Sequence, residues 1–388
     1  MFRTVHFTTL LVCSIVVHAA AGQTVVLRAG EEVREGEAVT ALSESGVVLS
    51  SAGGVREVSL DRVASVSGEP WADEWAALAE PAAMLWRARS RIERGDLASA
   101  EPLLESLIPT LGQRGESAAI VWTGLLRCRL ASGRVPASIE AFIRYSELRK
   151  TAGTEAAMFR NASALPVTAI VDEESMLCPG LAPIFVGTPG VVALARSGGR
   201  IGVAGAGDHE APSSLAVLFA LALKAEDGSV SGEVLPSVTR DGEVLIRDIV
   251  KSRIGSADER TSARAALRDR LSQAQPGWVC AWCHTAIGRS LLLETDIDSR
   301  LLGVAQLLRV PASYATDAPY LTGICLAESA VALAELGDTA SAQSLRSEFA
   351  ASLPDHPVLD WPKLRAIGTE NGVPAAAART ILPSGEPR

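Results

Sequence analysis

Cys280-Ala281-Trp282-Cys283-His284 is the stretch of this chain whose residue types and spacing carry the most chemistry. Two thiols so placed can add to the two vinyl groups of a haem, and the histidine that follows can ligate its iron. The same thiol pair can act as a redox dithiol where it opens a helix after a strand, or supply half of a zinc site. Each chemistry asks for more than the motif. A haem iron commonly takes a second axial ligand, yet no methionine follows Met176, and the only later histidine is His356, in a turn with Pro354 and Pro357. No βαβ pattern surrounds the dithiol, and no second cysteine pair completes a zinc site.

The residues around the motif read instead as one helix. Trp278, Cys280, Trp282, Ala286, Ile287 and Leu291 give an apolar side at helical spacing, with a second helix expected over 301–308. Cys283 and His284 are then ordinary helix residues. Beyond the first 22 residues the cysteines are Cys128, Cys178, Cys280, Cys283 and Cys325, an odd number that argues against a disulfide framework.

Other chemistry is thinly represented. Asp208-His209-Glu210 joins three metal-ligating residue types, but in a glycine-rich stretch where such residues are ordinarily solvated. The glycines at 198–207 fit neither the dinucleotide nor the Walker pattern, and no His-Glu-x-x-His helix or Gly-x-Ser-x-Gly elbow occurs. No catalytic residue and no metal ligand is assigned, and the chain is expected not to be an enzyme and to need no cofactor. The net charge of −9 argues against nucleic acid as a partner.

The elements that position these residues are announced by a phrase that occurs twice. Residues 95–100 read Gly-Asp-Leu-Ala-Ser-Ala and residues 337–342 read Gly-Asp-Thr-Ala-Ser-Ala. A glycine that ends one helix and an aspartate that caps the next predict the elbow of a helical hairpin. A weaker third copy surrounds Gly133. Aligned on the glycines, Ala88, Leu126 and Ala330 precede by seven residues, and Met84, Trp122 and Leu326 by eleven. Ala100, Ser138 and Ala342 follow by five, and Leu107, Tyr145 and Phe349 by twelve. All are small or apolar at helical spacing.

This pattern resembles the tetratricopeptide repeat, a helix–turn–helix unit of about 34 residues. Trp122 with Leu125 falls on the family's Trp-x-x-Leu positions; Ala100, Ala342 and Pro354 match its second-helix alanine and closing proline. The family's glycine before the first-helix aromatic is missing throughout. The resemblance implies a mainly α fold, a helical-hairpin solenoid, with helical repeats over 71–160 and 256–360 that present a concave binding face.

The remaining segments differ in character. Residues 1–22 resemble a secretory signal, with Arg3, a short apolar core over 8–17 and an Ala-x-Ala site at 19–21. The chain is therefore expected to be exported, periplasmic or extracellular, with no transmembrane segment once the signal is removed. Residues 24–68 alternate like short strands, over 24–28, 37–42, 46–49 and 57–60, and resemble a small SH3-like or Sm-like barrel. Glu31, Glu32, Glu35 and Glu37 make that module acidic. Residues 161–255 read as an irregular connection holding one short helix over 215–223, and 361–388 as a C-terminal tail.

Two function classes follow. The first is an exported, non-enzymatic scaffold that binds a protein or peptide partner through helical repeats. Arg89 and Arg127, each six residues before an elbow glycine, fall in the same register and are expected to face one groove, where they can grip a carboxylate. The alternative is a c-type haem protein using Cys280, Cys283 and His284.

Overall fold

The computed structural model describes residues 23–28, 37–152, 170–197, 212–230 and 233–368. The elbows form as their residues require: Gly95, Gly133 and Gly337 have φ of +79°, +72° and +90°, the left-handed region that a Cβ penalises. They join α1 (Trp71–Glu93) to α2 (Leu97–Leu111), α3 (Gly115–Ala131) to α4 (Ser138–Ala152), and α11 (Pro319–Glu335) to α12 (Thr339–Ser352). Asp96 accepts from the Ser99 N–H at 3.3 Å and Asp338 from the Ser341 N–H at 3.1 Å. Each caps one orphan donor of its helix. The aligned positions point inward. Ala88, Leu126, Ala330, Ala100, Ser138, Ala342, Leu107, Tyr145 and Phe349 are all buried, while Met84 is only partly so.

Within each block a helix packs on its successor, and the first helices of successive hairpins also touch: α1 on α3, and α9 (Gly277–Leu291) on α11. The tightest pair is α9 with α10 (Ile297–Ser313), where a Cβ on Gly288 or Gly303 would stand 2.9 Å from the other's carbonyl oxygen. The second helix expected over 301–308 is thus real and longer. This is a mainly helical, repeat-like architecture. Among the described residues no helix is long and apolar enough to cross a membrane.

The irregular connection expected over 161–255 is corrected. It contains α5 (Pro189–Arg196), α6 (Ser214–Lys224) and α7 (Asp241–Ile254). Ser213 caps α6 through the Ala216 N–H. The α7 helix forms a hairpin with α8 (Ala257–Leu271), and both pack on α9. Leu245, Ile246, Ile249 and Val250 are the reason: they make one apolar face that α9 covers. Residues 181–186 have no regular structure, yet all six are buried. The tail is corrected in part as well. Trp361, Leu364 and Ile367 are buried, α13 (Pro362–Ala366) packs on α11, and Arg346 donates to the Ile367 carbonyl.

The N-terminal module has strands β1 (Thr24–Leu27), β2 (Ala38–Ser43), β3 (Gly46–Ser51), β4 (Gly54–Val58) and β5 (Val63–Ser67). They form an antiparallel β2-β3-β4 sheet and a separate antiparallel β1-β5 pair, so no closed barrel exists among the described residues. The 3₁₀ turn Leu60–Arg62 interrupts the ladder after Val58 and delivers β5 to β1. The module is not free-standing. The Leu60 N–H donates to Ser117 Oγ at 3.2 Å, and Ser117 Oγ donates to the Ser45 carbonyl at 2.9 Å. The expected signal segment with Cys13, the residues Glu31, Glu32 and Glu35, the glycine-rich stretch and Asp208-His209-Glu210 lie outside the described residues.

Candidate functional site

The Cys-x-x-Cys-His motif occupies α9, as its apolar spacing predicts. Cys280 is half-buried; Cys283 has no exposed surface, and burial pushes its thiol up to about 12. The His284 ring meets Gln306 Oε1 through Nδ1 at 2.8 Å and stacks on Tyr314, and burial lowers its pKa. All five described cysteines are free. The two sulfurs therefore stand in unlike surroundings, one accessible and one enclosed. Among the described residues no group of three or more His, Cys, Asp or Glu side chains is arranged to hold a metal.

Arg89 and Arg127, placed in one register by the sequence, have different surroundings. Arg89 reaches back to the β module, with Nη1 2.5 Å from Asp61 Oδ2 and Nε 3.0 Å from Glu93 Oε1. Asp61 is buried in the turn before β5, so the pair fastens that turn to α1. Burial lowers the pKa of Arg127, whose surroundings are Cys178, Tyr145 and Cys128. The neighbours differ: a β turn for Arg89, and α4 with the central segment for Arg127.

A cluster that local sequence does not reveal lies between the central segment and the second helical block. Arg289, 4% exposed on α9, donates through Nε to Glu328 Oε1 at 2.8 Å. Its Nη2 reaches Glu226 Oε1 at 2.8 Å and the Phe185 carbonyl at 2.7 Å. Burial opposes the charge, but Glu226 and Glu328 outweigh it and hold the pKa above the ordinary arginine value. One guanidinium thus ties the buried stretch 181–186, the end of α6 and α11 to α9.

Where the two helical blocks face each other a cleft of about 390 Å³ opens. The α3–α4 elbow gives it Leu130, Ala131 and Val135, and the turn Pro179-Gly180 forms its floor. Opposite stand Pro319 and Tyr320 at the start of α11, and Leu353, Asp355 and His356 after α12. The lining is apolar apart from Asp355 and the His356 ring. His356 Nδ1 accepts from the Val358 N–H at 3.2 Å, which leaves the proton on Nε2 to donate to the Tyr320 carbonyl at 3.1 Å. Both ring nitrogens are engaged as the neutral imidazole allows, and burial lowers the pKa further in that direction. The Trp282 indole Nε1 donates to the Pro179 carbonyl at 3.3 Å and steadies the floor. The sequence marks each of these turns through Gly133, Pro179-Gly180 and Pro354 to Pro357. Nothing local shows that they meet.

A second cleft, about 660 Å³, is lined by Asp172, Asp241, Asp248, Asp269, Arg270 and Trp278. Arg270 forks onto Asp241 there at 2.6 and 2.8 Å. In comparisons with known proteins, no family model matches the chain, and neither a curated protein nor a solved structure does.

Proposed function

We propose that this protein is an exported, non-enzymatic scaffold that binds a protein or peptide partner through tetratricopeptide-like helical hairpins, and that the apolar cleft between its two helical blocks is the contact. The observation that carries the reading is the cleft itself. Its volume falls in the range of about 300–1,000 Å³ usual for ligand sites. Its walls are elbows and helix ends held by a buried core, so little ordering is needed on binding. The haem alternative has less support, because Cys283 offers no surface to a porphyrin; a Soret band surviving acid-acetone extraction would reinstate it. The test uses the full chain and Ala131→Trp, which fills the cleft from an exposed helical position. A partner retained by the wild type and lost by the variant, with circular dichroism unchanged, supports the reading. Equal retention by both refutes the cleft as contact.

A further inference from the structure

We infer that the segment this cleft accepts is a short apolar stretch ending in a lysine or arginine. The inference rests on the cleft being the contact and adds the chemistry of what enters. Leu130, Val135, Pro179, Pro319 and Leu353 can bury apolar side chains and offer no hydrogen bond from their own side chains. Asp355 is the only ionised group in the lining, since the hydrogen bonds of His356 keep its ring neutral.

The Asp355 carboxylate stands at the rim, exposed, and among the described residues it has no ion-pair or hydrogen-bond partner. The nearest basic side chain in sequence on the opposite wall, Arg134, is turned away to Glu101. An apolar body with one cation at its end therefore matches the site. The body fills the cleft, and the cation meets the carboxylate without stripping it of all its water. The net charge of −9 adds a field that favours a cationic ligand over an anionic one.

The experiment uses fluorescein-labelled octapeptides of leucine and proline ending in lysine, acetyl-lysine or glutamate, titrated against the full chain by anisotropy at low and high salt. The lysine peptide is expected to bind about fivefold tighter than the glutamate peptide at low salt, with the acetylated one between, and the gap to narrow with salt. Asp355→Asn should abolish the preference and keep binding, and Asp355→Lys should invert it. Ala131→Trp should weaken all three peptides.

Equal binding of the lysine and glutamate peptides, or a preference that survives Asp355→Asn, overturns the inference and leaves the scaffold reading standing, provided Ala131→Trp still weakens both. No binding by any peptide removes the cleft reading and the inference together. The chain's own residues 369–388 are the rival occupant. If ending the chain at Gly368 brings all three peptides to one higher affinity, that segment fills the cleft and the inference fails.

Discussion

Replacing Arg289 by methionine should cost up to about 3 kcal/mol at pH 7, and the cost should shrink toward pH 5. The residue is 4% exposed and donates three charge-assisted bonds of 2.7–2.8 Å. Without the cation, Glu226 keeps Arg253 at 3.4 Å, whereas Glu328, whose Oε2 already lacks a partner, loses its hydrogen-bonded counter-charge and keeps only the longer-range field of Arg253. A buried carboxylate with no counter-ion takes up a proton rather than stay charged. From its ordinary value of 4.5, protonation at pH 7 costs about 1.36 kcal/mol for each of 2.5 units, or about 3.4 kcal/mol, which is the upper bound because burial already raises this carboxyl in the wild type.

The sign follows from linkage. Burial already holds the folded pKa of Glu328 above its ordinary 4.5 with Arg289 in place, and losing that cation raises it further, so unfolding of the variant releases a proton and its stability falls as pH rises above about 4.5, by up to about 1.36 kcal/mol per unit. Urea unfolding followed by tryptophan fluorescence, with Trp278 and Trp282 on the same helix, measures it from pH 5 to pH 7. Adding Glu328→Gln should remove the pH dependence and restore most of the loss. A deficit below about 1 kcal/mol, or one that does not change with pH, would refute the argument.

Other outcomes follow from the same contacts. Asp96→Ala and Asp338→Ala should each cost about 1 kcal/mol, visible as faster hydrogen exchange at the Ser99 and Ser341 amides; no change at either would contradict the caps. Burial lowers the pKa of His356 below its ordinary 6.5. Its contribution is then present above pH 6.5 and lost as pH falls toward the lower folded value, by up to about 1.36 kcal/mol per unit; His356→Gln should flatten that part of a stability–pH curve. Among the described cysteines, Cys280 should be alkylated first in the native protein, because burial pushes the thiols of Cys128, Cys178, Cys283 and Cys325 up to about 12. Mass spectrometry showing Cys283 labelled as fast as Cys280 would count against the packing of α9.

The elbows were legible because their signal is local. A glycine at positive φ and an aspartate three residues before the amide it caps are properties of five consecutive residues. The α7 helix also carried a readable signal, Leu245, Ile246, Ile249 and Val250 with acids before and bases after, but its neighbours, proline and glycine turns, masked it. Residues 181–186 could not be read. Their order depends on Arg289, 104 positions from Phe185, and no window along the sequence contains both. The site divides the same way. Arg89 was placed correctly on α1, but its direction was set by Asp61 in a β turn, 28 positions away. The cleft needs three separate turns to converge, and convergence is a property of the packed core.

The anchoring of the β module gives the helical array a polarity. Asp61 grips Arg89 and the Leu60 amide grips Ser117, so the module spans both α1 and α3. A hairpin inserted between β5 and α1 would pull both contacts apart, whereas one inserted after α4 would leave them intact. Duplication of units, the usual way repeat arrays lengthen, is therefore open to this protein only away from its N-terminal end. Anyone grafting extra hairpins onto it should splice them there.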